Sequence, residues 1–165
     1  MWAFVMGNRG IMCSQQIWQS LTEQLRQRGE GRHESGAFLL GKNRSSLREI
    51  LEVIYYDELD PHAYCTGVCI LHADAFAKLW RLCREKGLTV VADVHTHPMD
   101  ARQSLADRMN PMVARAGHIA IIIPDFAAVP VRHDRLGIYV YRGNHTWSNQ
   151  SPSSGSTFFH SDFWS

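Results

Sequence analysis

The stretch 88–98 reads LTVVADVHTHP and decides the expected fold. Its first seven residues are mostly apolar and rich in β-branched side chains, which is typical of a buried strand, and Pro98 ends that strand. On a strand, His95 and His97 face the same way, with Cα atoms about 6–7 Å apart. Two imidazoles at that offset can bind one metal ion. The stretch therefore predicts a buried strand with a candidate metal site at its carboxyl end, where α/β sheets tend to place sites.

The flanking segments predict a mixed sheet covered by helices. Helical patterns cover 14–29 and 74–86, and short helices are expected over 104–109 and 110–117. Strand patterns cover 35–40, 47–56, 64–71, 118–123 and 137–142. Because helices and strands alternate, we expect the α/β (α+β) class.

The end of the chain differs in composition from the rest. Residues 148–157 have the composition of a polar linker without packing residues, and the tail 158–164 is strongly aromatic. The sequence leaves open whether this tail packs on the domain or docks a partner. We therefore expect one domain over residues 1–147, followed by a linker and tail over 148–165.

Composition limits the partners to expect. The chain has 17 basic and 16 acidic residues, so its net charge of +1 gives no electrostatic reason to expect a nucleic-acid partner. No run approaches the roughly 20 apolar residues of a membrane helix, so no membrane partner is expected. The first fourteen residues lack the features of a signal peptide, and the four cysteines show no Cys-x-x-Cys spacing. These features favour a reducing, cytoplasmic location.

A carboxylate follows the two histidines. Asp107 ends the sequence Ser104-Leu105-Ala106-Asp107, and nine residues separate it from His97. Two histidines and one carboxylate leave a fourth position for water, which is typical of catalytic rather than structural zinc. Taken alone, Ser-x-x-Asp is an ordinary helix capping box, and His-x-His is often incidental. Their joint occurrence with an upstream Glu-x-Gly is far more specific.

Together these patterns resemble the JAMM motif of JAB/MPN-type metallopeptidases. The matching pieces are Glu34-x-Gly36, His95-Thr96-His97-Pro98 and Ser104-x-x-Asp107. The resemblance covers residues 10–147 and implies a three-layer α/β/α fold with a mixed sheet, related to that of cytidine deaminases.

The resemblance also implies roles for five residues. His95, His97 and Asp107 would be the zinc ligands, Glu34 the general acid/base, and Ser104 a donor to the oxyanion. The family usually places its aspartate eleven residues after the second histidine, whereas Asp107 lies ten after His97. We expect the connecting loop to absorb the missing residue.

Asp93 is a candidate for orienting a metal ligand. It lies on the same strand face as both histidines, so it could accept a hydrogen bond from one of them. An ordinary contact with a backbone amide or with solvent is the open alternative.

The stretch 101–126, ARQSLADRMNPMVARAGHIAIIIPDF, resembles compact bacterial members of this family associated with ubiquitin-like conjugation and antiphage defence operons. The resemblance implies a ubiquitin-like protein and its conjugates as substrates, with activating (E1-like) and conjugating (E2-like) enzymes as further partners. A substrate tail would bind extended, and strand addition is one mode for it. We expect 64–71 and 99–103 to form the walls of its groove.

Other zinc hydrolases fit the chain poorly. An amidohydrolase barrel needs about 250 residues. A zinc deaminase needs His-x-Glu with Pro-Cys-x-x-Cys, and the sequence has neither. A non-catalytic MPN-type scaffold remains the alternative, although such domains typically lack a ligand and all five functional positions are filled here.

Overall fold

The computed structural model describes residues 10–44 and 47–161, whose strands and helices are as follows. The strands are Gly10–Cys13 (β1), Gly36–Arg44 (β2), Leu47–Tyr55 (β3), Thr89–Thr96 (β4), Ile119–Ile123 (β5), Gly137–Gly143 (β6), Thr146–Asn149 (β7) and Phe159–Ser161 (β8). The helices are Gln15–Gly29 (α1), Tyr56–Leu59 (α2), Ala73–Lys86 (α3) and Leu105–Met109 (α4).

The described strands form one mixed sheet in the order β7-β6-β5-β4-β2-β3-β1-β8. β4 lies in its interior, antiparallel to β2 and parallel to β5. The hydrogen bonds of β4 are therefore satisfied on both edges, which suits its β-branched, apolar sequence. A mixed sheet of this kind confirms the fold class predicted from the sequence.

Alternate side chains of β2 show the two covered faces of the sheet. Leu39 belongs to one buried cluster with Leu21 of α1, whereas Phe38 belongs to a second cluster with Leu79 of α3. Because successive strand residues point to opposite faces, α1 and α3 must lie on opposite sides of the sheet. The result is the expected three-layer α/β/α arrangement.

Within residues 10–44 and 47–161, no helix has the length and apolar character that crossing a membrane requires.

The two long helices begin and end close to where the sequence predicts. Ser14 caps α1, and its hydroxyl accepts a hydrogen bond from the backbone N–H of Ile17 at 3.3 Å. α3 ends at Lys86, and Gly87 follows with a φ of 64°, a conformation that glycine adopts without steric penalty.

Residues 64–71 form turns and an irregular loop, so the prediction of a strand there is wrong. In the described sheet, both edges of the preceding strand β3 are already paired, with β2 and with β1. A further strand therefore has no neighbouring edge to join. Gly67, with a φ of 86°, also interrupts any extended run.

The helix predicted over 110–117 is also wrong. Asn110 is the residue that ends α4, and the segment after it consists of bends and turns. Met112 and Val113 pack against the buried cluster that contains Phe38. The segment has to cover that cluster while it leads the chain to β5, and this path replaces a regular helix.

The segment 148–157 does pack on the domain, contrary to the prediction of a linker without packing residues. Ser151 is buried, and its hydroxyl accepts a hydrogen bond from the N–H of Ile138 at 2.9 Å. The boundary predicted at residue 147 falls within β7.

In the tail, Phe159 is buried and makes an edge contact with Trp18, with ring centroids 5.1 Å apart. Residues 162–164 of the tail and the first nine residues lie outside the described ranges.

Gly36 permits a close approach between β2 and the elements beside it. A Cβ atom at this position would lie 2.3 Å from the Tyr56 ring and 2.9 Å from the carbonyl oxygen of Val94. Real side chains do not approach so closely. The glycine of the Glu-x-Gly sequence is therefore a packing requirement.

We expect Gly36→Ala to destabilise the fold by about 1–3 kcal/mol, because the methyl group overpacks a buried site. Gly29→Ala is the matched control, since its Cβ would meet only ordinary contacts, the nearest at 3.6 Å, inside a helix that favours alanine. Thermal unfolding followed by circular dichroism measures both. Equal midpoints for the two variants would contradict the packing role of Gly36.

Candidate metal centre

Three side chains converge at the carboxyl end of β4. The Nε2 atoms of His95 and His97 lie 3.0 Å apart. Asp107 places Oδ1 3.4 Å from Nε2 of His95 and Oδ2 3.3 Å from Nε2 of His97. The structure therefore brings together all three ligands predicted from the sequence.

The spacing of these atoms fits one tetrahedral ion. In a tetrahedron with metal–ligand bonds of 2.0–2.1 Å, neighbouring ligand atoms are about 3.3 Å apart. The three observed separations of 3.0, 3.3 and 3.4 Å agree with this value. Both histidines are buried, at 7% and 8% exposure, so the surrounding protein restricts the positions of their imidazole rings. The residues present thus fit a metal ion.

The electrostatic surroundings favour positive charge at this point. Burial alone would lower the pKa of His95, but the carboxylates of Asp107 and Asp93 outweigh it and raise that pKa to about 10. Burial raises the pKa of Asp107, yet hydrogen bonds with His95 and His97 outweigh burial and hold that pKa well below its usual range. A divalent cation supplies the positive charge that these carboxylates favour, and neutral imidazoles can then bind it.

Asp107 is held by the capping box of α4. The Ser104 hydroxyl accepts a hydrogen bond from the Asp107 N–H at 3.1 Å, and Asp107 Oδ2 accepts one from the Ser104 N–H at 2.7 Å. Both interpretations of Ser-x-x-Asp are therefore compatible, because the cap fixes the carboxylate that faces the histidines. The Ser104 hydroxyl still has its own proton to donate.

The loop between β4 and α4 is held by contacts with β6. The carbonyl of Ala101 accepts a hydrogen bond from the Tyr139 hydroxyl at 2.9 Å. The same carbonyl would lie 2.0 Å from a Cβ at position 137, so only a glycine fits beneath it. Despite being one residue short, the loop delivers Asp107 to both histidines.

Glu34 comes from the segment just before β2. Its Oε1 lies 3.9 Å from Nε2 of His97, while its Oε2 accepts a hydrogen bond from the N–H of Cys69 at 3.3 Å. Its backbone N–H donates to the carbonyl of Gly67 at 3.0 Å. One carboxylate oxygen is thus held by the 64–71 loop, and the other faces the candidate metal site.

Asp93 lies on β4, beside the ring nitrogen of His95 that faces away from the candidate metal site. Its Oδ1 is 2.5 Å from Nε2 of His118, and its Oδ2 accepts a hydrogen bond from the Tyr56 hydroxyl at 3.3 Å. Oδ2 is also 3.9 Å from Nδ1 of His95, a buried nitrogen with no hydrogen-bond partner. Side chains rather than solvent or a backbone amide therefore contact Asp93. Its orienting role toward His95 stays a prediction.

The family model for prokaryotic homologs of the JAB domain matches residues 14–137. The chain belongs to this family. It is 26% identical over 131 residues to the probable metalloprotease y4jG of Sinorhizobium fredii. The aligned region covers 79% of this chain and 80% of that protein. These similarities confirm the recognition of a JAMM-type metallopeptidase and imply a metal ion in this JAB domain.

Solved structures agree with the fold of the JAB domain. A protein from Desulfitobacterium hafniense superposes with a TM-score of 0.66 over 92% of each chain, at 14% identity. A protein from Salinibacter ruber gives a TM-score of 0.50 at 21% identity, covering 79% of this chain and 84% of that one. At these identities the likeness supports the fold alone.

The metal centre opens into a cleft of about 510 Å³. Glu34, His95 and Asp107 line its floor, and apolar side chains that include Val68 and Ile70 line its walls. The loop over 64–71 contributes four of the lining residues, and its role as a wall for a substrate tail stays a prediction. From the loop over 99–103, the cleft is lined by Gln103.

Three contacts of the JAB domain escaped sequence reasoning. His118 and Tyr56 hold Asp93, and the backbone of Cys69 holds Glu34. No motif surrounds His118 in the sequence. A main-chain donor such as that of Cys69 leaves no residue-specific signal in a sequence.

We expect the purified JAB domain to contain about one divalent metal ion per chain. His97→Ala should lower its metal affinity by more than about 100-fold, because even a residue that only orients a ligand contributes about 10–100-fold. Elemental analysis and competition with a chelator measure this. His145→Asn is the control, because His145 is exposed and asparagine tolerates its φ of 56°. Equal metal content in the two variants would show that His97 is not a ligand.

Proposed function

We propose that the chain is a zinc-dependent isopeptidase that cleaves after the C-terminus of a ubiquitin-like protein. It would mature that protein or detach it from its targets, in bacterial antiphage defence. The observation that carries the proposal is the set of three ligands with Glu34 beside it at the floor of a partly apolar cleft. Family membership supports the peptidase chemistry, and the resemblance of residues 101–126 to compact bacterial members supports the substrate class.

Zinc is the metal we propose for this site. Two imidazoles and one carboxylate form the ligand set that catalytic zinc prefers, with one position left for water or substrate. Magnesium and calcium prefer oxygen ligands, so the two histidines argue against them. His95, His97 and Asp107 would hold the ion.

When bound, zinc polarises the scissile carbonyl and lowers the pKa of a water molecule to roughly 7. Glu34 Oε1, which faces the ligand set, accepts the proton of this water as its oxygen adds to the carbonyl carbon. The carbonyl oxygen gains negative charge, and the Ser104 hydroxyl donates a hydrogen bond to it. Glu34 then returns the proton to the departing amine as the C–N bond breaks.

The walls of the cleft suit an extended apolar or small-residue tail. Val68 and Ile70 are 46% and 45% exposed, which is high for such side chains and leaves apolar surface for a ligand to cover. The substrate tail would lie between the loop over 64–71 and the loop over 99–103 and would bind in a strand-like conformation. The modifier and its activating and conjugating enzymes would then come from the same operon.

The proposed reaction takes place where conjugates form, so we propose that the chain acts in the cytoplasm. None of the four cysteines, all of which lie within the described residues, forms a disulfide, which is compatible with a reducing compartment.

We expect Glu34→Gln to reduce cleavage by at least about 100-fold while zinc stays bound, because the amide cannot accept the proton of water. The assay substrate is a ubiquitin-like protein carrying a short C-terminal extension, and the proposal predicts that its gene lies beside the gene of this chain. Intact-mass analysis after incubation measures its shortening. Glu30→Gln is the control, because Glu30 is an exposed acid only four residues away.

Three results would overturn parts of this proposal. If Glu34→Gln cleaves as fast as the wild type, the general base is another residue. If the wild type carries zinc stoichiometrically and shortens no ubiquitin-like protein, the substrate class is wrong while the metal centre stands. A chain that purifies without zinc and shortens none would be a scaffold.

A second expected outcome concerns the apolar wall. Val68→Ser and Ile70→Ser should raise KM several-fold and change kcat little, because they remove contact area away from the reacting groups. Steady-state kinetics on the same extended protein separates the two parameters. Val129→Ser controls for loss of exposed apolar surface, since Val129 is 73% exposed and does not line the cleft. A fall in kcat alone would contradict the binding role of the wall.

A further inference from the structure

A second cleft lies near the other end of β4. It has a volume of about 340 Å³ and is lined by residues from β2, β3, α3 and the segment before β5. Thr89 and Val90, at the start of β4, form part of its wall, whereas His95 and His97 lie at the carboxyl end of that strand. His118 lines this cleft and contacts Asp93, which lines the cleft of the metal centre.

Positive charge dominates this cleft. Arg48 of β3 and Arg115 of the segment before β5 both line it, and no described lining residue is acidic. Burial and the nearby charge of Arg115 both lower the pKa of Arg48, so the two guanidinium groups repel each other.

Polar groups surround the two arginines. Asn43 is the cross-strand partner of Arg48, and its side-chain amide can donate hydrogen bonds. Arg48 is oriented by the carbonyl of Val91, which accepts a hydrogen bond from its Nη1 at 3.2 Å. The Nη2 atom of Arg48 lies 3.4 Å from the position that a Cβ on Gly117 would occupy, so the guanidinium group lies beside this glycine.

We propose that this cleft binds a phosphate group. Two guanidinium groups line the cleft, and together their charge matches that of a phosphate dianion. Guanidinium groups also form bidentate hydrogen bonds with phosphate oxygens. The group can come from inorganic phosphate or from a small phosphomonoester such as a nucleotide. Trp80 lines the same cleft and is 39% exposed, so its ring can stack on a base.

The test measures thermal unfolding of the metal-loaded chain at fixed ionic strength. Inorganic phosphate and AMP are titrated separately, since a ligand of the folded state raises the unfolding midpoint with concentration. We expect both to raise the midpoint of the wild type. Arg115→Gln should weaken the apparent affinity at least tenfold, because it removes charge-assisted hydrogen bonds. Without phosphate, this variant should be at least as stable as the wild type at low salt, since it relieves the repulsion between Arg48 and Arg115.

Three variants complete the test. Arg48→Gln should weaken phosphate binding as Arg115→Gln does. Arg26→Gln, on α1 and therefore across the sheet, should leave it unchanged. Trp80→Ala distinguishes the two sources: a loss confined to AMP indicates a nucleotide, and no loss indicates phosphate alone. Midpoints that do not respond to phosphate, or that respond equally in wild type and Arg115→Gln, overturn the proposal, because the anion would then bind nowhere or at the metal centre.

Discussion

The pairing of β2 with β4 is the constraint on which the site depends. Gly36 is the cross-strand partner of His95, and the ladder continues one step further through Ser35 and Thr96. The N–H of Ser35 donates to the Thr96 hydroxyl at 3.0 Å, and the N–H of Thr96 donates to the Ser35 carbonyl at 2.9 Å. This register leaves Glu34 beside the imidazoles. A shift of one residue would turn both histidines to the opposite face of the sheet.

The third ligand is fixed in a different way. α4 buries none of its five residues, so packing alone does not position it. The reciprocal hydrogen bonds between Ser104 and Asp107 hold its first turn, and the indole of Trp147 donates to the carbonyl of Arg108 at 3.1 Å near its end. Local hydrogen bonds thus supply a rigidity that a short, exposed helix otherwise lacks. The same carboxylate both caps the helix and faces the histidines.

Features encoded within a few consecutive residues were predictable. The helix over 14–29, the buried strand before Pro98 and the capping box at Ser104 each follow from local chemistry, and the structure contains all three. The failures concern tertiary context. The composition of 64–71 suggests a strand, but both edges of the preceding strand β3 are already paired. The loop instead holds Glu34 and lines the cleft. The contact of His118 with Asp93 spans 25 residues and has no local signature.

The net charge of the chain conceals how its charges are arranged. A value of +1 suggests an electrostatically neutral surface, yet acidic and basic groups lie on opposite sides of one buried contact. Asp93 and Glu34 line the cleft of the metal centre, whereas Arg48 and Arg115 line the second cleft, and His118 lies between the two sides. Since a side chain responds mainly to charges within about one Debye length, each cleft has its own potential. A charge count over the whole sequence therefore limits general affinity for polyanions without limiting what an individual cleft binds.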